Sequence, residues 1–287
     1  GIQSLNPFVI LAEQKNGAIV SIAIDDYTYV NPDSPEHPDA HSFVPLPAIP
    51  MLVMFTRTCS YSDPRGFLNS IFLDAKRGKI VSTDGHRIAI LSTPDFKVSQ
   101  DLMIPSFIFS LYKNNLQKLS LSYSGNFISV AHKEFPQERL VCRLDREYTD
   151  YALICPESKE HLTKVEVDLK SLTQACNTLL KQPDQDEWAR CTLDANFLTF
   201  GETKIQIGET LKLVDSPETV TFNLQYLKDI LEFYTQSATE ASSVLDFFSA
   251  GAPTEQDEPV YLYYEYFTSP IHLVQGPLTN LIMPVRV

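Results

Sequence analysis

The chain has 287 residues, 44% of them hydrophobic, and a formal net charge of −13. Its length and apolar content can fill two or three cores and exclude a single small module. Its acidity excludes a protein that grips nucleic acid over its general surface, because nonspecific affinity comes from neutralising phosphates; any basic face must be local.

Five scattered cysteines without a Cys-x-x-Cys spacing give neither a disulfide framework nor a zinc knuckle. There is no basic segment followed by an apolar run at the start, and no stretch of about 18 apolar residues. We therefore expect a soluble protein of the reducing cytoplasm, with no membrane partner.

Residues 1–40 stand apart. Phe8 to Glu13 and Ala18 to Val30 suit a hairpin around Lys15-Asn16-Gly17, followed by a proline-rich connector over 31–40. Beyond them one pattern recurs four times, an extended run and then an amphipathic helix, starting near Phe43, Leu102, Val165 and Val220. The spacing of roughly 60 residues marks a repeated unit, and two units make a domain of about 120 residues. The predicted divisions are 1–40, 41–160 and 161–287.

In the first copy Pro45, Pro47 and Pro50 hold the helix back to Pro50, after which Met51, Leu52 and Phe55 form its apolar side and Arg57 closes it. Strands are predicted at Ser70 to Asp74, Lys79 to Ser82 and Arg87 to Ser92. The second helix is predicted to open at Pro105, with Ile108, Leu111 and Tyr112 apolar and Lys113 near its end. Strands follow at Leu119 to Tyr123, Phe127 to His132 and Leu140 to Leu144. In the third copy Asp168 caps a helix whose Leu169, Leu172, Cys176 and Leu179 face inward, opposite Lys170, Gln174, Asn177 and Lys181. Thr192 to Leu198 and Lys204 to Ile207 read as strands, with a turn at Asp194-Ala195-Asn196. In the fourth copy Asn223 caps a stripe of Leu224, Leu227, Leu231 and Tyr234. After an exposed loop over 250–259 come strands at Val260 to Phe267 and Ile271 to Gln275, and the last residues, Leu281 to Val287, also read as a strand. The whole predicts an α+β protein with antiparallel sheets.

Catalytic chemistry finds little support. Ser82, Asp84 and His86 alternate onto one side of a strand, but triad members converge from different elements, and neither a Gly-x-Ser-x-Gly elbow nor an oxyanion loop accompanies them. The histidines lack metal-ligand spacing and no phosphate-binding glycine loop is present. We expect no catalysis, no metal and no cofactor.

Five dispersed motifs then carry a resemblance: Thr83-Asp84-Gly85-His86-Arg87 after a strand, Ile104-Pro105 before a helix, the run from Asp145 to Pro156, Phe222-Asn223 before another helix, and Met283-Pro284-Val285-Arg286. In order and spacing they resemble the bacterial DNA polymerase III beta subunit, the sliding clamp, over about residues 41–287. The resemblance implies a DNA-clamp fold of repeated units, antiparallel sheets outside and two helices per domain inside. It also implies a ring that encircles duplex DNA regardless of sequence and tethers DNA polymerase, the clamp loader and repair proteins through short linear motifs. Carried over by motif, the partner pocket comprises Leu68, Thr83, Gly85, His86, Arg87 and Ile88 together with Leu281, Met283, Pro284, Val285 and Arg286. Candidate DNA-facing cations are Arg57, Arg65, Lys113, Lys170, Lys181 and Lys228, each equally open to being an ordinary solvated side chain.

The chain departs from the family pattern at Thr149, where proline is common, and at Leu153, where a basic residue is common; that rim is expected to prefer different peptides. By the resemblance, residues 41–287 correspond to the family's second and third domains, and a complete first domain is expected to be absent. Three expectations stay open: a homo-oligomeric ring of three two-domain chains, which is preferred; a remnant of a first domain cut from a longer chain; and a non-ring homologue acting as a peptide-binding adaptor or regulator of clamp clients.

Overall fold

A computed structural model describes residues 8–13, 19–24, 44–46, 49–61, 63, 65–93, 98–111, 119–125, 127–132, 135–143, 148–155, 158–182, 189–213, 219–235, 259–265 and 268–285. In chain order its elements are β1 (Phe8–Glu13), β2 (Ile19–Ile24), β3 (Val44–Leu46), α1 (Ile49–Phe55), β4 (Ser70–Asp74), β5 (Lys79–Thr83), β6 (Arg87–Ser92), β7 (Leu102–Pro105), α2 (Phe107–Leu111), β8 (Leu119–Ser124), β9 (Phe127–His132) and β10 (Phe135–Arg143). There follow β11 (Thr163–Val167), α3 (Leu169–Leu179), β12 (Arg190–Asp194), β13 (Phe197–Phe200), β14 (Thr203–Gln206), β15 (Gly208–Lys212), β16 (Val220–Asn223), α4 (Leu224–Thr235), β17 (Val260–Tyr264), β18 (Ile271–Gln275) and β19 (Leu278–Ile282). Four times a short strand runs into a helix, at β3–α1, β7–α2, β11–α3 and β16–α4, where the periodicity places them. The architecture is α+β.

By compactness the chain divides into two units, Gly1–Ile49 with Tyr112–Arg146, and Pro50–Leu111 with Glu147–Val287. In the first, β1 and β2 form the expected antiparallel hairpin, Phe8 opposite Ile24. A separate sheet runs β10-β9-β8-β3. The period-two pattern of Leu119, Leu121 and Tyr123 buries one face of β8, with Leu121 opposite Val130 and Tyr123 opposite Ile128 on β9.

The second unit holds a nine-stranded antiparallel sheet in the order β15-β11-β17-β18-β19-β6-β5-β4-β7, and a four-stranded sheet β14-β13-β12-β16. Helices α3 and α4 pack together. The carboxylate of Asp168 accepts from the Ser171 amide at 2.7 Å, and Asn223 Oδ1 accepts from the Gln225 amide at 2.8 Å, satisfying donors that a helix start leaves open. The predicted stripe of Leu224, Leu227, Leu231 and Tyr234 is buried, joined by Ile230 and Phe233, and Phe233 meets Phe55 edge to face at 5.7 Å.

Several boundaries differ from expectation for local reasons. Pro105 ends β7 instead of opening α2; β7 is an edge strand, where a residue without an N–H costs no ladder bond. On α3, Leu169 is only half-buried and Ala175 takes its inward place. β10 begins at Phe135 and carries a register shift between Phe135 and Arg139. The terminal strand lies at Leu278–Ile282, earlier than the predicted Leu281 to Val287, and an unforeseen strand is β15. It pairs with β11 so closely that a Cβ on Gly208 would stand 2.0 Å from the Glu166 carbonyl oxygen, an approach only glycine allows. Lys113, Leu144, Arg286 and the predicted connector over 31–40 lie outside the described residues.

Candidate functional site

The Thr83–Ile88 turn closes on itself through side chains. Thr83 Oγ1 donates to the Arg87 carbonyl at 2.8 Å and accepts from the Gly85 amide at 3.0 Å. Asp84 Oδ1 accepts from the His86 and Arg87 amides at 2.9 and 3.0 Å, and its other oxygen takes Arg87 Nε at 3.0 Å. Gly85 sits at φ +89°, a conformation side-chain-bearing residues rarely adopt. Thr83, Asp84, Gly85 and Arg87 are therefore each required by the turn's geometry, and His86 is left exposed at its tip.

The terminal stretch meets this turn through the backbone. β19 pairs antiparallel with β6, setting Leu281 opposite Ile88 and Ile282 opposite Arg87. Beyond the strand, the Met283 amide donates to the His86 carbonyl at 2.7 Å and the Val285 amide to the Thr221 carbonyl at 2.8 Å. Met283, Pro284 and Val285 are half-buried alongside the turn. Leu68, on a short 3-10 turn over Gly66–Asn69, reaches behind Gly85. Leu68, Thr83, Gly85, His86, Arg87, Ile88, Leu281, Met283, Pro284 and Val285 thus gather in one region of one unit.

Not all of them are open to a ligand. Leu68, Ile88 and Leu281 are at most 2% exposed, and Ile88 and Leu281 belong to an apolar cluster with Phe72, Val81, Ile90, Met103 and Tyr151. The outer edge of that cluster is Phe67, Tyr148 and Cys155. Tyr148 stacks on Phe72 at 4.5 Å, and the Tyr151 hydroxyl donates to Asp74 at 2.7 Å. Burial drives the Asp74 carboxyl upward, but the bonds from Tyr151 and Arg77 outweigh it and hold the group below its ordinary range.

Sequence reasoning missed Tyr226. On the first turns of α4 it stacks on His86 at 5.6 Å and lies under the Arg87 guanidinium at 5.0 Å. Asp229, one turn on, takes Arg87 Nη1 at 2.5 Å, and Arg87 Nη2 donates to the Arg57 carbonyl at 3.1 Å. No local signal marks this role, since Tyr226 lies off the buried stripe of its own helix and its partners come from another strand.

The candidate DNA-facing cations scatter. Arg57 pairs with Glu232, and Arg65 grips Asp63 through two bonds of 2.9 Å beside Gly85, so it belongs to the rim of the turn. Lys170 and Lys181 are exposed at the two ends of α3, and Lys228 is half-buried on α4. Ser82, the tempting nucleophile, is fully buried and hydrogen-bonded to Thr58, away from His86. Among the described residues no group of three His, Cys, Asp or Glu is placed to hold a metal, and no helix is long and apolar enough to cross a membrane.

A nine-stranded antiparallel sheet with strand–helix repeats, joined in its middle by the strand after the Asp-Gly-His-Arg turn, is the fold of a DNA sliding clamp. The DNA polymerase III subunit beta of Borrelia burgdorferi, solved in complex with a natural product, is similar to 98% of this chain over 74% of its own length, at 16% identity and a TM-score of 0.63. The DNA polymerase III beta subunits of Pseudomonas aeruginosa (17% identity, 93% of this chain, 71% of that one, TM-score 0.61) and Thermotoga maritima (15%, 100%, 75%, 0.60) are similar in the same way. No protein-family model and no curated protein sequence matches the chain significantly. The chain has the DNA-clamp fold of these beta subunits.

Proposed function

We propose that this chain is a sliding-clamp-like processivity factor of the cytoplasm: a homo-oligomeric ring around duplex DNA that tethers DNA polymerase, the clamp loader and repair proteins through short peptides. One observation carries the reading. The pairing of β6 with β19 sets the His86 turn beside the Met283–Val285 tail, with an apolar cluster beneath and Tyr226 and Arg87 at the rim. Such an arrangement of backbone, half-buried apolar side chains and a few fixed polar groups suits an extended peptide with apolar anchors. Ser82 serves the core and Asp84 the turn, and this reading gives neither of them, nor His86, a catalytic role.

On this reading residues 41–160 and 161–287 are two clamp domains, preceded by residues 1–40, and Lys170, Lys181 and Lys228 face DNA. A ring holds DNA by topology and needs only weak contacts, which suits a net charge of −13. Edge strand β15, with Leu211 and Leu213 about half exposed, supports contact between copies, and three copies are the preferred number. Pairing of Arg57 with Glu232 and Arg65 with Asp63 favours a second reading, a non-ring adaptor that binds clamp clients without encircling DNA.

A fluorescein-labelled peptide with two leucine anchors should bind with micromolar affinity, about 8 kcal/mol, and lose most of it in Met283→Ala and His86→Ala. Absence of binding sinks both readings. Retention on closed circular DNA but not on linearised DNA, with a solution mass near three times 32.4 kDa, selects the ring; a persistent monomer selects the adaptor.

A further inference from the structure

Helix α4 holds the seam between β6 and β19 at two points. Its first turns carry Tyr226 and Asp229, which meet His86 and Arg87 where β6 begins. Near its other end the Tyr234 hydroxyl donates to the Leu273 carbonyl of β18 at 3.0 Å and accepts from Asn280 Nδ2 of β19 at 2.8 Å. Asn280 is fully buried, in register between Ala89 of β6 and Leu273 of β18, and its Oδ1 has no hydrogen-bond partner.

A buried amide with an open acceptor costs free energy, so stability alone does not account for asparagine where leucine would fit. Register does. The two-residue turn Gly276-Pro277, with Gly276 at φ +50°, fixes β19 against β18. Against β6 the neighbouring side chains discriminate little, because Leu278, Thr279 and Leu281 meet Leu91, Ile90 and Ile88. A slip of one residue would turn every side chain of the strand to the opposite face. A slip of two, about 7 Å, keeps the faces and the backbone ladder and again sets apolar groups against apolar groups. Only Asn280 would lose its place, since Leu278 or Ile282 would then lie beneath Tyr234 and offer its hydroxyl nothing.

We propose that Asn280 and Tyr234 are positioning residues of the candidate site: their hydrogen bond sets the register of β19 on β6 and thereby places the Met283–Val285 tail beside the His86 turn. A single buried asparagine selects register in the same way in coiled coils, at some cost in stability. This goes beyond the peptide reading and does not depend on it, because it concerns how the two segments come together and not what they receive.

The test uses the full chain, isotopically labelled at its amides and methyl groups, and three variants: Asn280→Leu, Tyr234→Phe and both together. The parent should give one set of NMR signals for β19, with the Thr279 methyl nearest to Ile90. Asn280→Leu should unfold at a urea concentration no lower than the parent's, yet show a second, slowly exchanging set for β19 and the Met283 amide, up to about a tenth of the intensity. In that set Thr279 should contact Ile88, or Leu281 contact Ile90. Tyr234→Phe loses one oxygen and keeps its ring in the core, so it should fold and show the same second set even if the leucine variant does not fold. The double variant should match Asn280→Leu. One set of signals in the native register in every variant overturns the proposal. So does a fall in the urea midpoint with the register unchanged, which would make the bond an ordinary stabilising contact. Failure of every peptide to bind removes the reading above and leaves this result standing.

Discussion

His272 offers a quantitative test of the sheet around the terminal strand. It lies on β18 between Tyr263 of β17 and Leu281 of β19, 2% exposed, with Nδ1 lacking a hydrogen-bond partner. Burial disfavours its charged form, and Lys159 and His161 add to the effect, so its pKa falls from 6.5 to about 4. Because the unfolded chain takes up the proton first, the folded state is favoured in full above about pH 6.5 and loses that advantage as pH falls towards 4. A difference of that size amounts to about 1 kcal/mol lost near pH 5.5 and to about 3 kcal/mol once both states are protonated. Urea unfolding of the parent and of His272→Leu, across about pH 7.5 to 4.5, should show the parent losing stability faster by these amounts. Subtracting the variant removes the shared carboxylate contribution, including that of Asp74. Equal pH slopes in the two proteins would refute the buried, neutral assignment of His272.

Other outcomes follow from single contacts. Leu281→Ala should cost about 2–5 kcal/mol by leaving a cavity between Ile88 and Tyr151, and Leu281→Met much less, read as shifts in the urea midpoint. Gly208→Ala should open β15, raising hydrogen exchange at Glu166 and its neighbours and costing about 1–3 kcal/mol, because the added methyl meets the Glu166 carbonyl. The thiols of Cys176 and Cys191, both pushed up to about 12 by burial, should resist an aromatic disulfide reagent in the native state and react on unfolding. Removal of the exposed His86 ring should change global stability by less than about 0.5 kcal/mol while weakening peptide binding.

Much of this was legible wherever local pattern sufficed. Asp168 and Asn223 announce their helices by cap chemistry, and alternation along Leu119 to Tyr123 announces a strand with one buried face. The Asp-Gly-His-Arg turn was recognisable as a motif of the resemblance, and the structure gives its glycine and its aspartate each a geometric task. What stayed hidden depends on neighbours distant in sequence. Pro105 reads as a helix start until its edge position makes a strand acceptable, and β15 carries no signal of its own because its pairing is fixed by glycine's fit against Glu166. Tyr226 is invisible for the same reason, since its value lies in a ring and a guanidinium supplied by the other half of the sheet. The acidic residues Asp229 and Glu232, which no local pattern singles out, are the counter-ions of Arg87 and Arg57.

The seam between β6 and β19 joins segments that are synthesised at very different times. Strands β4 to β7 leave the ribosome early, yet Ile88 stays without its Leu281 partner until translation has passed β19. Closure of so distant a pairing is entropically slow. The nascent protein therefore waits with a bare hydrogen-bonding edge along β6, and chaperone protection during that interval should matter more for yield than the stability of the finished sheet.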